Sequence, residues 1–377
     1  MKKIKKTVIV LCFILSAFSL TSYASNIDEY YKDGLEASGA KELSDYLDDE
    51  TSAYLKKIGC EDLELEKLLD LSAESLFSLI FELLKKGINA PLKGFMSACG
   101  TVILIGICSV FFSDNEKNGI LLSLIGGCVL ISGIFIAASD ALKAGIAAME
   151  ACGAFEKALI PVLVGITAAG GNPTVALTYK GAAFAAAEFV SSFTRNFAMP
   201  LVGISGIIGM LGAVMPTVRL SAISEMIRRT LTVLLTSVAS LFTGFLALKN
   251  MLSESADRLA VKGVKLVSST FIPVVGGALG DAYSSVMGSF GLMKNTVGFY
   301  AITAFSIICI PSIINLALWS LAMRGAGILS DLLNCRSCSD ILKNAAFVFS
   351  MLNAMILLCL AVFVISTGLI VAVKTGE

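Results

Sequence analysis

Six stretches of this chain hold no charged residue over 19 to 28 consecutive positions: Gly94–Ser113, Gly119–Ser139, Asn196–Thr217, Thr230–Leu248, Phe299–Met323 and Ala346–Val373. About twenty apolar residues in a helix cross a hydrocarbon core. Inside that core every backbone polar group must be satisfied within the segment or by a closed barrel. The runs therefore predict an all-α polytopic membrane protein with six transmembrane helices. Composition agrees: charged residues are 15% and hydrophobic ones 56% of the chain, against about 25% charged in soluble domains.

Two further regions, 158–194 and 266–293, are apolar but interrupted, and each predicts a broken or re-entrant segment. In the second, Phe271-Ile272-Pro273-Val274-Val275-Gly276-Gly277 sets a proline and a glycine pair inside an apolar run, followed by Asp281 and Lys294. Proline removes a backbone donor and glycine loosens a helix. A carboxylate there needs a protein or water partner. In the first, Leu159-Ile160-Pro161-Val162-Leu163-Val164-Gly165 echoes that motif 112 residues earlier. Gly170-Gly171-Asn172-Pro173 follows, then Lys180 and Glu188. The offset suggests an internal repeat, 119–230 against 231–345; likeness of composition alone is the other reading. Pro161, Lys180, Glu188, Pro273, Gly276, Gly277, Asp281 and Lys294 are thus the candidate pore or structural positions. Asp281 has a second reading, as the cap of a short helix beginning near Ala282.

The chain opens like a signal peptide over 1–24, with four lysines, the apolar core Val8–Leu20 and Ser22-Tyr23-Ala24 at the cleavage position. That start places 25–92 outside the cytoplasm and leaves 93–377 as the membrane domain. From Asn26 to Ala90 there are 16 acidic and 7 basic residues. Leucines and isoleucines at helical spacing, from Leu65 to Leu84, make this segment amphipathic and helical. It is either a solvated cap or a docking surface for a partner. The stretch Val218–Arg229, with Arg219, Arg228 and Arg229, reads as an inner loop. Trp319, little more than a turn from Arg324, reads as a membrane–water boundary marker. Glycines 203, 206, 209 and 212 give one helix a small-residue face, for packing within the chain or between subunits.

Enzyme classes fall away on residue content. The chain has no histidine, which closes histidine-based triads and His-ligated zinc or haem. No GxxxxGK[ST] loop is present. Its ten cysteines are scattered, and the lone Cys335-Arg-Ser-Cys338 lacks a second ligand pair. No cofactor, no metal and no nucleic-acid partner is expected, and the protein reads as non-enzymatic.

The order of these features resembles one family. After the export signal and acidic segment come Leu83-Leu84-Lys85-Lys86, Ala90-Pro91-Leu92-Lys93, the membrane runs, Phe271–Gly276, Asp281-Ala282 and Lys294-Asn295. This looks like stage III sporulation protein AE of endospore-forming bacteria, and the likeness covers essentially all of the chain after the signal. The resemblance implies a multi-pass protein of the mother-cell membrane surrounding the engulfed forespore. It implies a channel-like complex with other proteins of the stage III sporulation A operon, among them ring-forming subunits and a cytoplasmic secretion-type ATPase. That complex meets a forespore-made partner in the intermembrane space and is needed for late forespore gene expression. Within it the chain is expected to be the permease-like conduit. The alternatives are a non-conducting membrane scaffold for the ring-forming partners and, less favoured, a stand-alone secondary transporter. The resemblance carries over no catalytic residue.

Overall fold

The computed structural model describes residues 27–60, 73–111, 116–171, 192–215, 220–242 and 276–372, with 63, 173, 176, 177, 189, 190 and 244 besides. The signal segment 1–24, Lys180, Glu188 and Pro273 lie outside the described residues. So does Phe271–Val275, on which the repeat rests. Among the described residues there is no strand.

The N-terminal head comprises α1 (Ile27–Ala37), a 3₁₀ turn (Ala40–Tyr46) and α2 (Asp49–Lys57). Asp48 caps α2 by accepting from the Thr51 amide at 3.1 Å, as an N-cap aspartate does. Gly39 and Gly59, at φ of 72° and 82°, make the turns on either side; a side chain would be strained there. The remaining helices follow. They are α3 (Ala73–Gly87), α4 (Asn89–Phe111), α5 (Glu116–Ala169), α6 (Met199–Val214, after a π turn at Phe193–Ala198), α7 (220–242), α8 (Gly276–Leu332) and α9 (Arg336–Val371).

Five helices among the described residues are long and apolar enough to cross a membrane: Glu74–Ser109, Leu121–Ala169, Asn196–Val214, Val286–Leu332 and Arg336–Gly368. Five of the six uncharged runs fall on them. The sixth, Thr230–Leu248, is helical through residue 242 in α7; its remainder is largely outside the described residues.

The central helix is α8, with 57 residues, about 85 Å at 1.5 Å per residue. Helix α9 returns antiparallel along it: the Phe305 and Phe363 rings stack at 3.8 Å, and Lys343 pairs with Asp331 at 2.9 Å beside the turn. Helix α5 also runs antiparallel to α8. Cys152 Sγ lies 3.3 Å from Cys309 Sγ, and Ser312 donates to the Ala144 carbonyl at 3.2 Å. Phe155 joins the Phe305–Phe363 stack from α5, so three helices share one aromatic core. Helix α4 runs parallel to α8, its Gly94 against the Trp319 ring and its Gly106 against Leu333. Large apolar side chains stay exposed around this bundle, at Leu104, Phe111, Ile125, Ile136, Ile207 and Ile328. Such a belt suits lipid.

Several expectations change. Leu159–Gly165 does not break its segment, because Pro161 lies inside the 54-residue helix α5. The proline is exposed, and loss of one backbone bond does not stop a helix held on its other face. The break comes at Gly170-Gly171 instead, where Gly171 takes φ of 86° and closes the helix end, as a C-terminal glycine does. In the second region α8 is helical from Gly276 onward, so the glycine pair lies within a helix, while Pro273 lies outside the described residues. Val218–Arg229 is not a loop from Leu220 onward, since that part is the first turns of α7. Trp319 is 1% exposed and lies on Phe349 at 5.7 Å, inside the bundle where a boundary marker would face outward.

Candidate functional site

Helices α6, α7 and α9 meet across a polar seam. Small residues bring α6 and α9 together: a β-carbon at Gly206 would stand 2.6 Å from Val348, and one at Gly209 would strike Asn344. Close approach of this kind is how helices associate in lipid. The glycine face therefore serves packing within the chain at 206 and 209, whereas Gly203 has nothing within 4 Å. Beside it Ser224 of α7 donates to the Ser205 carbonyl at 2.9 Å, and the two hydroxyls are 3.4 Å apart.

One turn further along α7, Arg228 reaches α9. Its guanidinium donates to Asn344 Oδ1 and stands 4.2 Å above the Phe347 ring. The Asn344 amide in turn donates to the Asp340 carbonyl at 2.7 Å. The Arg228 side chain is 18% exposed, and its carboxylate neighbour Glu225, 4.0 Å away, is 75% exposed. The cation is thus held by an amide, an aromatic face and a distant carboxylate. Guanidinium suits this better than ammonium, being planar and weakly hydrated. A second arginine, Arg324 of α8, donates to Ser350 of α9 at 2.8 Å. Both lie near the α8–α9 turn, and each meets a polar residue of α9. Ser224, Arg228 and Asn344 were not reached as site residues from sequence. Arg228 reads there as an ordinary inner-loop charge, and no local pattern joins residues 116 positions apart.

The sequence-derived positions separate. Lys294 is 1% exposed within α8, next to Met293, against which Gly34 of α1 packs. Lys294 therefore sits where the head meets the bundle, far along α8 from the arginine seam. Asp281 lies within α8, five residues after its first residue, so it does not cap a helix beginning near Ala282. Pro161 faces outward from α5.

The head is tied to α3 by charge. Lys86 bonds Glu50 at 2.7 Å, and Lys57 pairs with Glu82. The Lys86 hydrogen bond, with a second from Tyr54, holds the Glu50 carboxyl below its ordinary value. Burial pushes the Cys60 thiol up to about 12, so it stays protonated and packs as a small apolar group. Cys338 is buried while Cys335 is half-exposed at the start of α9. Among the described residues no cluster of His, Cys, Asp and Glu is placed to hold a metal.

No solved structure matches the chain. It is 24% identical over 317 residues to the stage III sporulation protein AE of Bacillus subtilis (strain 168), an alignment covering 80% of this chain and 77% of that relative. The family described as stage III sporulation protein AE matches residues 67–374. With a match of that extent, the chain belongs to the stage III sporulation protein AE family.

Proposed function

We propose that this chain is the permease-like conduit of a mother-cell-to-forespore channel complex, seated in the mother-cell membrane around the forespore. Family membership gives it a sporulation role; the conduit reading goes further and rests on one observation. Arg228 is turned into the seam between α7 and α9, onto Asn344 and Phe347, within a bundle whose outer faces are apolar. An ionisable residue among membrane helices is costly. It is retained where it faces the bundle interior or a wet path and takes part in what passes or moves there. Ser205, Ser224, Asn344 and the nearby Arg324–Ser350 contact extend the same polar layer. The partners in this reading are ring-forming subunits, a secretion-type ATPase and a forespore-made protein in the intermembrane space. The role is non-catalytic.

A scaffold reading has its own support in the head. Its helices are fixed to α3 and α8 while much of their acidic surface faces outward, as an electrostatic docking face would. Arg228→Gln separates the two readings in a strain that depends on this protein for sporulation. The conduit reading expects normal accumulation and normal co-recovery of partners with loss of heat-resistant spores. Normal spore yield would remove Arg228 from the mechanism and leave the scaffold.

A further inference from the structure

Helix α5 turns a charged face outward beside the crossing of α8. Asp140, Lys143, Ala147, Glu150, Ala154 and Lys157 are all exposed. Alternate steps of three and four residues keep them on one side of a helix. The face falls within the long apolar helix Leu121–Ala169. From Asp140 to Lys157 it rises about 26 Å, close to the thickness of a hydrocarbon core.

Packing sets the level of this face. The Ala144 carbonyl accepts from Ser312, a β-carbon at Gly145 would stand 3.1 Å from Leu316, and Cys152 lies against Cys309. Residues 140–157 therefore run beside Phe299–Met323, the uncharged stretch of α8. Helix α9 stands at the same level, since Asn353 donates to the Ile313 carbonyl and Phe363 stacks on Phe305. There α9 exposes Leu357 and Ile365, by 47% and 39%. Helix α7 runs parallel to α9, because both are antiparallel to α6, and beyond Arg228 it exposes Val233 and Leu241. One level of the bundle thus shows large apolar side chains on α7 and α9 and charges on α5. The first kind of face suits lipid. The second, at the same depth, needs water, because ionised side chains in hydrocarbon are costly.

We propose that the 140–157 face of α5 is the wetted wall that this chain contributes to the conduit, which deepens the conduit reading and rests on it. The wall carries two acidic and two basic residues. It has no net sign, and so suits hydrated solutes of either charge better than one selected ion. It lies on the outside of the chain, so the opposite wall belongs to another chain of the assembly. The Arg228 seam, between α7 and α9, is not part of it.

The test uses membranes from sporulating cells, opened so that reagent reaches both sides, in which the chain keeps its own assembly. Ala147→Cys and Ala154→Cys are compared with Leu357→Cys at the same level. Each is treated with a charged methanethiosulfonate and read at the introduced site by peptide mass, apart from the native cysteines. The reagent attacks the thiolate, which forms in water and is suppressed in apolar surroundings. Modification of both α5 sites is expected to be at least about tenfold faster than that of Leu357→Cys. Equal modification at all three sites would mean that this level stands outside the bilayer. No modification of the α5 sites would mean that lipid or protein covers the face. Either result overturns the wall. Spore yield is not the readout, so failure here leaves the Arg228→Gln test of the conduit standing.

Discussion

Asn344 is the residue on which the seam turns, since it accepts from Arg228 and donates to the Asp340 carbonyl. Asn344→Leu leaves a buried guanidinium without its acceptor, at an expected cost of about 1.5–3 kcal/mol. Asn344→Asp supplies a charged acceptor in the same place and is expected to retain stability. Thermal aggregation midpoints of the two variants in detergent check this. Glu50 makes a smaller, pH-dependent contribution. Its carboxyl is held low in the folded protein by Lys86 and Tyr54. Its stabilisation is therefore present above the ordinary value near 4.5 and is lost as pH falls through the lowered one. Glu50 and Lys86 are both largely exposed, so Glu50→Gln should cost under about 1 kcal/mol at neutral pH. Hydrogen exchange in α2, measured against pH with wild type and Glu50→Gln, should show the difference vanish in acid.

At the scale of elements, glycine placement makes a sharp contrast within one helix. Gly206→Leu drives a side chain into Val348, whereas Gly203→Leu enters open space on the same α6. Overpacking costs about 1–3 kcal/mol, so the first variant should accumulate poorly and the second normally, by immunoblot of membranes. The charged positions at 281 and 294 separate in the same way. Asp281 is inside α8, so Asp281→Ala removes no cap and improves helix propensity. It is expected to accumulate like wild type, and loss of spores in that variant alone would report a role for its charge. The apolar periods that mark these helices are plain in the sequence. Their ends are less so: Pro161 reads as a break and is not one, because its neighbours Leu159, Ile160, Val162 and Leu163 are buried in the bundle and hold the helix there. Gly170-Gly171, also present in the sequence, is the true stop because Gly171 can take a left-handed conformation.

Across the whole molecule, both described ends of the chain meet the same stretch of α8. Gly34 of α1 packs on Met293, and Val371 of α9 packs on Gly298. The α8–α9 turn lies at the far end, beyond Leu332. From Met293 to Leu332 the helix rises about 58 Å, more than the full thickness of a bilayer with its headgroups. The head and the carboxyl terminus should therefore face one side and the turn the other. Protease-cleavable tags after Glu377, at Asp45 and at Asn334 test this in right-side-out and inverted vesicles. The first two should be cut from one side and the third from the opposite one. Cleavage of Asp45 and Glu377 tags from opposite sides would break the arrangement.

The sequence by itself determined the helical class, the membrane-length runs and the family, because uncharged stretches of twenty residues have few other solutions in water or lipid. What only the tertiary structure decided was which side chains are brought together. Arg228 and Asn344 are joined by the close contact of three helices, with Gly209 leaving the space. Trp319 is buried because α4 passes over it at a glycine. Lys294 belongs to the head–bundle contact because α1 folds back onto Met293. Each of these depends on which face a helix turns to a neighbour distant in sequence. Local periodicity fixes that a face exists, and packing against the rest of the chain fixes what it meets.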